Sequence, residues 1–360
     1  MDDILPFLKK LISVPGLTGN EAPVRRLIEE AWRPLTDELS TGRLGSLHGL
    51  RRARAQAGEK EPAPRQSILF AAHMDAIGLM VTQVARDFLR VTSVGGIDAR
   101  ILPGQLVTVH GRSALPGVVA APPAYLLPAD AREGVTPLAE LLVDTGLPGD
   151  KLAEQVKVGD VVSFAAPARE LQNGLLCAKS LDNRAAVAAV TRCLEDLQGR
   201  THVWDVVAVA TTQEELGVIG ARTSAFALRP DLAVAIDVTH GSGPAAKDMP
   251  DKTYPVGGGP TLTLGPNIHP ALFAAFTDLA DRLEIPHTVE VTPQHSGTDA
   301  FGIQVAREGI PTMVIGLPLR NMHTPVEVIS PKDIERAGRL LAEFAAGLTA
   351  EYMDTLKFDA

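Results

Sequence analysis

The chain has 360 residues, with 43 acidic against 34 basic side chains and a formal charge of −9. That length suits two domains, and a composition of 45% hydrophobic and 21% charged residues supports a large core and excludes global disorder. The acidic balance excludes a dedicated nucleic-acid binder, which needs basic clusters to displace counterions.

In chain order, Leu5, Leu8, Leu11 and Ile12 share one helical face before Pro15-Gly16 stops the run. Thr18-Gly19-Asn20-Glu21 resembles a second helix start, continued by Val24, Leu27, Ile28 and Trp32, so the first forty residues are expected to be helical. Residues 51–66, with Arg51, Arg52 and Arg54, read as a solvated surface loop or loose hairpin. Ser67–Ala72 is a continuous apolar run, as in a strand buried on both faces. Between about 79 and 164, short β-type pieces alternate with Gly and Pro turns at the spacing of a small barrel or sandwich, and 121–139 reads as a mobile excursion. From 177 onward helices and buried strands alternate. Ala185–Leu197, Ala271–Leu283 and Pro331–Met353 are expected as helices, Val203–Thr211, Leu232–Ile236 and Pro311–Ile315 as strands. The expected fold class is therefore α/β, one domain (1–78 and 165–360) interrupted by an inserted β domain (79–164). Cys177 and Cys193 cannot frame a disulfide fold, MDDILPFLKK has acid where a signal peptide needs base, and no long apolar run follows. A soluble, cytoplasmic protein with no membrane partner is expected.

Polar residues gather where the buried strands end. Ser67–Ala72 runs into His73-Met74-Asp75, Val203–Thr212 into Gln213-Glu214-Glu215, Leu232–Ile236 into Asp237, and Met313–Leu317 is soon followed by His323. In a doubly wound sheet the carboxyl ends of strands form the ligand crevice. Asp182 precedes the Ala-rich helix, a position that also suits an N-cap. Together His73, Asp182, Glu215, Asp237 and His323 have the composition of a two-metal site, because zinc and its relatives take imidazole nitrogen and carboxylate oxygen. Clustered carboxylates would raise one another's pKa, and two divalent cations would relieve that repulsion. Asp75, two residues from His73, would lie on the same strand face and orient the imidazole. Glu214 and Glu215 would point oppositely in extended chain unless the backbone turns. One is then a ligand while the other takes a proton from activated water.

Each acid taken alone also fits a turn or cap, and His48, His110, His202, His269 and His287 read as surface or satisfied core residues. Neither Gly95-Gly96 nor Gly257-Gly258-Gly259 leads into a phosphate-binding motif, Ser296 lies in no nucleophile motif, and Cys177 has no evident His partner.

With these residues in order, the chain resembles the glutamyl/tetrahedral aminopeptidase family of co-catalytic zinc metallopeptidases. The resemblance is carried by Leu11–Glu21, His73-Met74-Asp75-Ala76-Ile77-Gly78, Gly95-Gly96-Ile97-Asp98, Leu181-Asp182-Asn183-Arg184 and Gln213-Glu214-Glu215-Leu216-Gly217. It continues through Asp237-Val238-Thr239, Gly297-Thr298-Asp299-Ala300 and His323-Thr324-Pro325-Val326-Glu327. It implies an α/β/α metallopeptidase domain with an inserted small β-barrel used for dimerisation, and assembly as tetrahedral dodecamers. It also implies two divalent metal ions per subunit, zinc or cobalt, and oligopeptide substrates cleaved at their N-terminus. His73 and Asp237 would hold one metal and Glu215 and His323 the other, with Asp182 bridging, Glu214 as general base and Asp75 orienting His73. Ala76, His295-Ser296, Asn321-Met322 and the region Thr41–Ser46 depart from the family pattern near the expected pocket. Rival readings are a deacylase of N-acyl amino acids on the same scaffold and a non-catalytic assembly protein. A cellulase is disfavoured by only 2 Trp and 3 Tyr for sugar stacking.

Overall fold

Ser67–Ala72 is as apolar as a strand covered on both sides requires, and it lies at the centre of the molecule. The structure, a computed structural model, describes residues 3–54, 65–126, 134–243 and 252–356. Its first elements are helices α1 (Leu5–Ser13) and α2 (Ala22–Trp32), which bury Leu8, Leu11 and Ile12 and then Val24, Ile28 and Trp32. The helical expectation for the first forty residues is corrected at their end. β1 (Glu38–Thr41) and β2 (Leu47–Arg51) form an antiparallel hairpin, and β2 is held by a strand more than 150 residues away that no local pattern announces. The surface loop expected over 51–66 is corrected at its start, because Arg51 ends β2 and is buried, donating to the carbonyls of Leu35 and Leu197; residues 55–64 lie outside the described residues.

β3 (Ser67–His73) is followed by β4 (Gly78–Ala85), β5 (Phe88–Val94), β6 (Leu106–His110), β7 (Ala114–Ala120), β8 (Leu142–Asp144), the helix α3 (Gly149–Gln155) and β9 (Val161–Phe164). These six strands after β3 close into a barrel in the order β4-β5-β8-β7-β6-β9. Its interior is filled by alternate apolar residues, Val81, Leu89, Val91, Val107, Val109, Val119, Val143 and Val162 among them. The excursion expected at 121–139 lies partly outside the described residues; Ala124–Leu126 and Leu138–Glu140 are short 3₁₀ turns.

The chain then resumes the larger sheet with β10 (Arg169–Glu170), β11 (Leu176–Ala178), α4 (Leu181–Asp196), β12 (Asp205–Thr211), α5 (Ile219–Leu228), β13 (Leu232–His240) and β14 (Thr261–Leu264). It finishes with α6 (Pro270–Arg282), β15 (Thr288–Val291), α7 (Asp299–Gln304), β16 (Thr312–Arg320), β17 (Glu327–Ile329) and α8 (Pro331–Gly347). The last helix ends six residues before the expected Met353, because Leu348 turns extended. The order of the main sheet is β1-β2-β12-β3-β13-β16-β17-β11-β10, with β14 and β15 attached beside β16. The inner pairs β12–β3, β3–β13 and β13–β16 are parallel.

Period-two alternation along β3 divides its side chains between two layers. Ile68, Phe70 and Ala72 join the core formed with α1, α2, α4, α6 and α8, whereas Leu69 and Ala71 join a second core with α5 and α7. The result is an α/β/α sandwich, as expected, with the closed barrel entering between β3 and β10. α4 packs closely because it is alanine-rich: Ala185, Ala186, Ala188 and Ala189 are fully buried. Where it meets α8, a Cβ added at Gly338 would lie 2.6 Å from the Arg192 side chain. No helix among the described residues is long and apolar enough to cross a membrane.

Candidate metal centre

Parallel packing of β12, β3 and β13 aligns their carboxyl ends, the geometry that makes a crevice in a doubly wound sheet. His73 is the last residue of β3, Glu214 and Glu215 follow β12, and Asp237 lies within β13, which runs three residues beyond it. Asp182 sits at the head of α4, after a left-handed Ser180, and the Asp182–Asn183 peptide bond is cis. His323 follows β16 with φ +61°. The structure brings all five proposed ligands and Glu214 to one cleft of about 490 Å³, also lined by Arg222, His295 and Ser296.

Asp182 stands at the middle. Its Oδ1 lies 3.2 Å from His73 Nε2 and its Oδ2 3.3 Å from His323 Nε2. On one side His73 Nε2 is 3.7 Å from Asp237 Oδ1; on the other His323 Nε2 is 3.7 Å from Glu215 Oε2. Donor atoms on a tetrahedron around a zinc-sized ion lie about 3.3 Å apart, so these spacings fit cations held between the pairs. Glu215 is also within reach of the His73–Asp182 pair, the three offering ligand atoms within 4.8 Å of one another.

The Glu214–Glu215 question is answered by a turn. Gln213 adopts φ +55° and a 3₁₀ turn spans Glu214–Leu216, so consecutive side chains need not point oppositely. Asp75, fully buried, holds that turn: its carboxylate accepts hydrogen bonds from the Glu214 and Glu215 amides at 3.1 and 3.3 Å and from the Thr18 hydroxyl at 2.9 Å. Its contact with His73 is mainly through the backbone, the Asp75 carbonyl lying 3.2 Å from Nδ1 while its carboxylate oxygen is 3.6 Å away. A proton on Nδ1 donated to that carbonyl leaves Nε2 with a lone pair facing the acids.

Without metal this cluster is electrostatically uneasy. Burial pulls His73 down, but hydrogen bonds to Asp182, Asp237 and Asp75 outweigh it and hold the imidazole well above the ordinary histidine value. Contact with Asp182 raises His323 to about 9. Burial pushes Asp182 up, yet the two imidazoles hold it below the usual carboxylate range. Desolvation lifts Glu214 to about 9 and Glu215 to about 7, neighbouring carboxylates adding to it against the pull of His73. Asp237 is raised by burial as well. Groups that retain protons for want of a countercharge are what divalent cations would relieve, and the donor set, imidazole and carboxylate without thiolate, suits them.

Sequence reasoning did not assign roles to three buried residues beside the cluster. Asp299, raised to about 7 by burial, accepts a hydrogen bond from the Thr211 hydroxyl at 2.5 Å. Arg184 donates to the carbonyls of Leu11 and Val14, both at 2.6 Å, fastening the end of α1 beneath the site. Glu327 accepts from the amides of Leu181, Asp182 and His323. The motifs around all three were visible, but a buried charged side chain bonded to a distant hydroxyl or backbone group leaves no signature of its own. Of the other histidines, His48 pairs with Ser224, His110 with Ser163, His202 with the Trp204 carbonyl and His287 with the Ile285 carbonyl.

An α/β/α fold with a cleft of imidazoles and carboxylates at its strand ends defines a class, that of metal-dependent hydrolases built on a parallel sheet. The comparisons are more particular. The family model for the M42 glutamyl aminopeptidase matches residues 54–340. The lysyl aminopeptidase of Pyrococcus furiosus is 33% identical over 343 residues, covering 93% of this chain and 94% of its own. A TET aminopeptidase from the marine-sediment archaeon Thaumarchaeota archaeon SCGC AB-539-E09 superposes with TM-score 0.89 at 28% identity, over 99% of this chain and 100% of that one. The Pyrococcus horikoshii TET1 peptidase, described as assembling into a tetrahedron or a large octahedral shell, superposes with TM-score 0.82 at 27% identity, over 96% and 100%. The chain belongs to the M42 glutamyl aminopeptidase family. It is a metal-dependent aminopeptidase, a peptide hydrolase that works with divalent metal, and the deacylase and scaffold readings are not favoured.

Proposed function

We propose that His73 and Asp237 hold one divalent cation and Glu215 and His323 a second, with Asp182 between them, in an enzyme that releases N-terminal residues from oligopeptides. The observation that carries this reading is the double approach of Asp182, one oxygen toward each imidazole at 3.2 and 3.3 Å. When bound, the cations supply Lewis acidity, making an attacking water more acidic and a peptide carbonyl more electrophilic. Glu214, with Oε2 3.9 Å from His73 Nε2, is the general base. Its carboxylate takes a proton from water as the water oxygen bonds to the carbonyl carbon, then passes that proton to the amine nitrogen as the C–N bond breaks. Burial raises Glu214 to about 9 when no cation is present; the positive charge of bound cations would offset that rise and leave its carboxylate free to accept the proton. Asp75 is a positioning residue, keeping both the His73 ring and the Glu214–Glu215 turn in place.

Zinc is the proposed metal, cobalt its alternative, from the nitrogen and oxygen donors and the absence of cysteine in the cleft. The proposed division is a catalytic domain of residues 1–78 and 165–360 with a dimerising barrel of 79–164. Assembly into dimers and a tetrahedral dodecamer is supported by the TET relative described above and by exposed apolar residues such as Leu106, Tyr125 and Leu126. A cytoplasmic setting agrees with two free cysteines.

Glu214→Gln tests the central role. Metal content, measured on the purified protein, should be unchanged while hydrolysis of aminoacyl-nitroanilides falls by about 10²–10⁴-fold. A variant with wild-type turnover ends the general-base assignment.

A further inference from the structure

Glu327 begins β17 at the seam between two loops that carry different candidate ligands. Its backbone pairs with Ala178 of β11, four residues before Asp182, while β17 pairs with the end of β16, just before His323. Its side chain is 1% exposed. One carboxylate oxygen, Oε2, accepts from the amides of Leu181 and Asp182 at 2.7 and 3.1 Å; the other, Oε1, accepts from the amide of His323 at 3.2 Å.

These amides need such an acceptor. Leu181 and Asp182 open α4, where the first N–H groups have no partner within the helix, and Ser180, in the cap position, makes no side-chain cap hydrogen bond. His323 is held at φ +61°, a conformation that a β-carbon disfavours and that surrounding contacts must maintain. One planar carboxylate therefore fixes the backbone under the central Asp182 and under His323 together. Burial and the neighbouring Asp182 raise the pKa of Glu327 well above the ordinary carboxylate value. The buried Arg184 and the half-buried Lys179 oppose that rise with their positive charge and in turn donate to carbonyls at the end of α1. Arg184 also reaches toward the Met74 carbonyl beside His73, at 3.4 Å.

We propose that Glu327 is a positioning residue that sets the separation of Asp182 and His323, and through it the affinity of the cation site between them. This rests on the ligand assignment above. Gln at this position preserves shape but replaces one oxygen by an NH₂ that faces a backbone N–H, so one clamp is lost and the Asp182–His323 spacing relaxes. Asp keeps the carboxyl group and withdraws it by one methylene.

The test uses the full-length enzyme, with zinc dissociation measured by competition against a chromogenic chelator and cobalt occupancy by visible absorption. For Glu327→Gln one of two sites should bind zinc about 10–100-fold more weakly, the usual effect of losing an outer hydrogen-bond partner. Activity should return at high zinc with KM near wild type, and Glu327→Asp should fall between. A purely structural role would lower the unfolding midpoint of the metal-free protein and leave zinc affinity unmoved. That result, in either folded variant, overturns the proposal. The ligand assignment fails separately, if wild type binds fewer than two zinc ions or if His323→Ala leaves the zinc count unchanged.

Discussion

Glu215→Gln, compared with wild type after metal has been stripped by a chelator, separates the electrostatic account of the site from a purely steric one. Glu215 is buried beside Asp182, and desolvation followed by that carboxylate lifts its pKa from 4.5 to about 7 in the fold. Below pH 4.5 folded and unfolded chains both hold the proton, and a neutral Glu resembles Gln. Between pH 4.5 and 7 the unfolded chain releases its proton while the fold retains it, so the stability of the wild type falls as pH rises. Above 7 both states are ionised and the loss is complete. At about 1.4 kcal/mol per pH unit the difference amounts to about 3 kcal/mol. Urea unfolding followed by circular dichroism from pH 5 to 8 should find the metal-free variant more stable than wild type by roughly that amount at pH 8, the gap closing toward pH 5. Added zinc should reverse the order, because the cation stabilises only the fold that can ligate it. A metal-free variant no more stable than wild type at pH 8 refutes the reasoning, since Glu215 would then carry no unrelieved charge.

Gly96 comes from the barrel yet lines the cleft, and a Cβ there would lie 3.0 Å from His323 Nδ1. Gly96→Ala should shift His323 by a few tenths of an ångström and lower kcat/KM about tenfold, with the far-UV spectrum unchanged; wild-type kinetics would mean that the barrel does not constrain the site. Arg184→Met should strand the carbonyls of Leu11 and Val14 in the interior. The expected cost is about 3 kcal/mol, seen as a lower urea midpoint, and an unchanged midpoint would rule out the clamp.

Much of the fold was legible because its strongest pattern is local. Ile68–Ala72 is apolar at every position, which occurs in a strand covered on both faces, and the barrel strands alternate as strands with one buried face must. Among the elements missed, β2 is held by β12, β15 by β14, α7 has only six residues, and α5 starts after a left-handed Val218 with no capping side chain to mark it. In the site, His73 and Asp237 were legible as polar residues in or just after apolar runs. The facing of Glu214 and Glu215 was not, because it depends on a left-handed Gln213 where no glycine marks the turn.

The chemistry available can be read along the chain: acid and imidazole at the ends of buried strands, no thiolate set, and continuous apolar runs that suit strands covered on both faces. Distance came only with the fold. Asp182 lies between two imidazoles, Asp75 serves the Glu214–Glu215 turn more than the His73 ring, and Glu327 joins two loops 141 residues apart in the chain, Asp182 to His323. Hydrogen bonds to backbone amides depend on where the chain returns in space. A side chain's identity records that it can accept such a bond and leaves open which amides will be there.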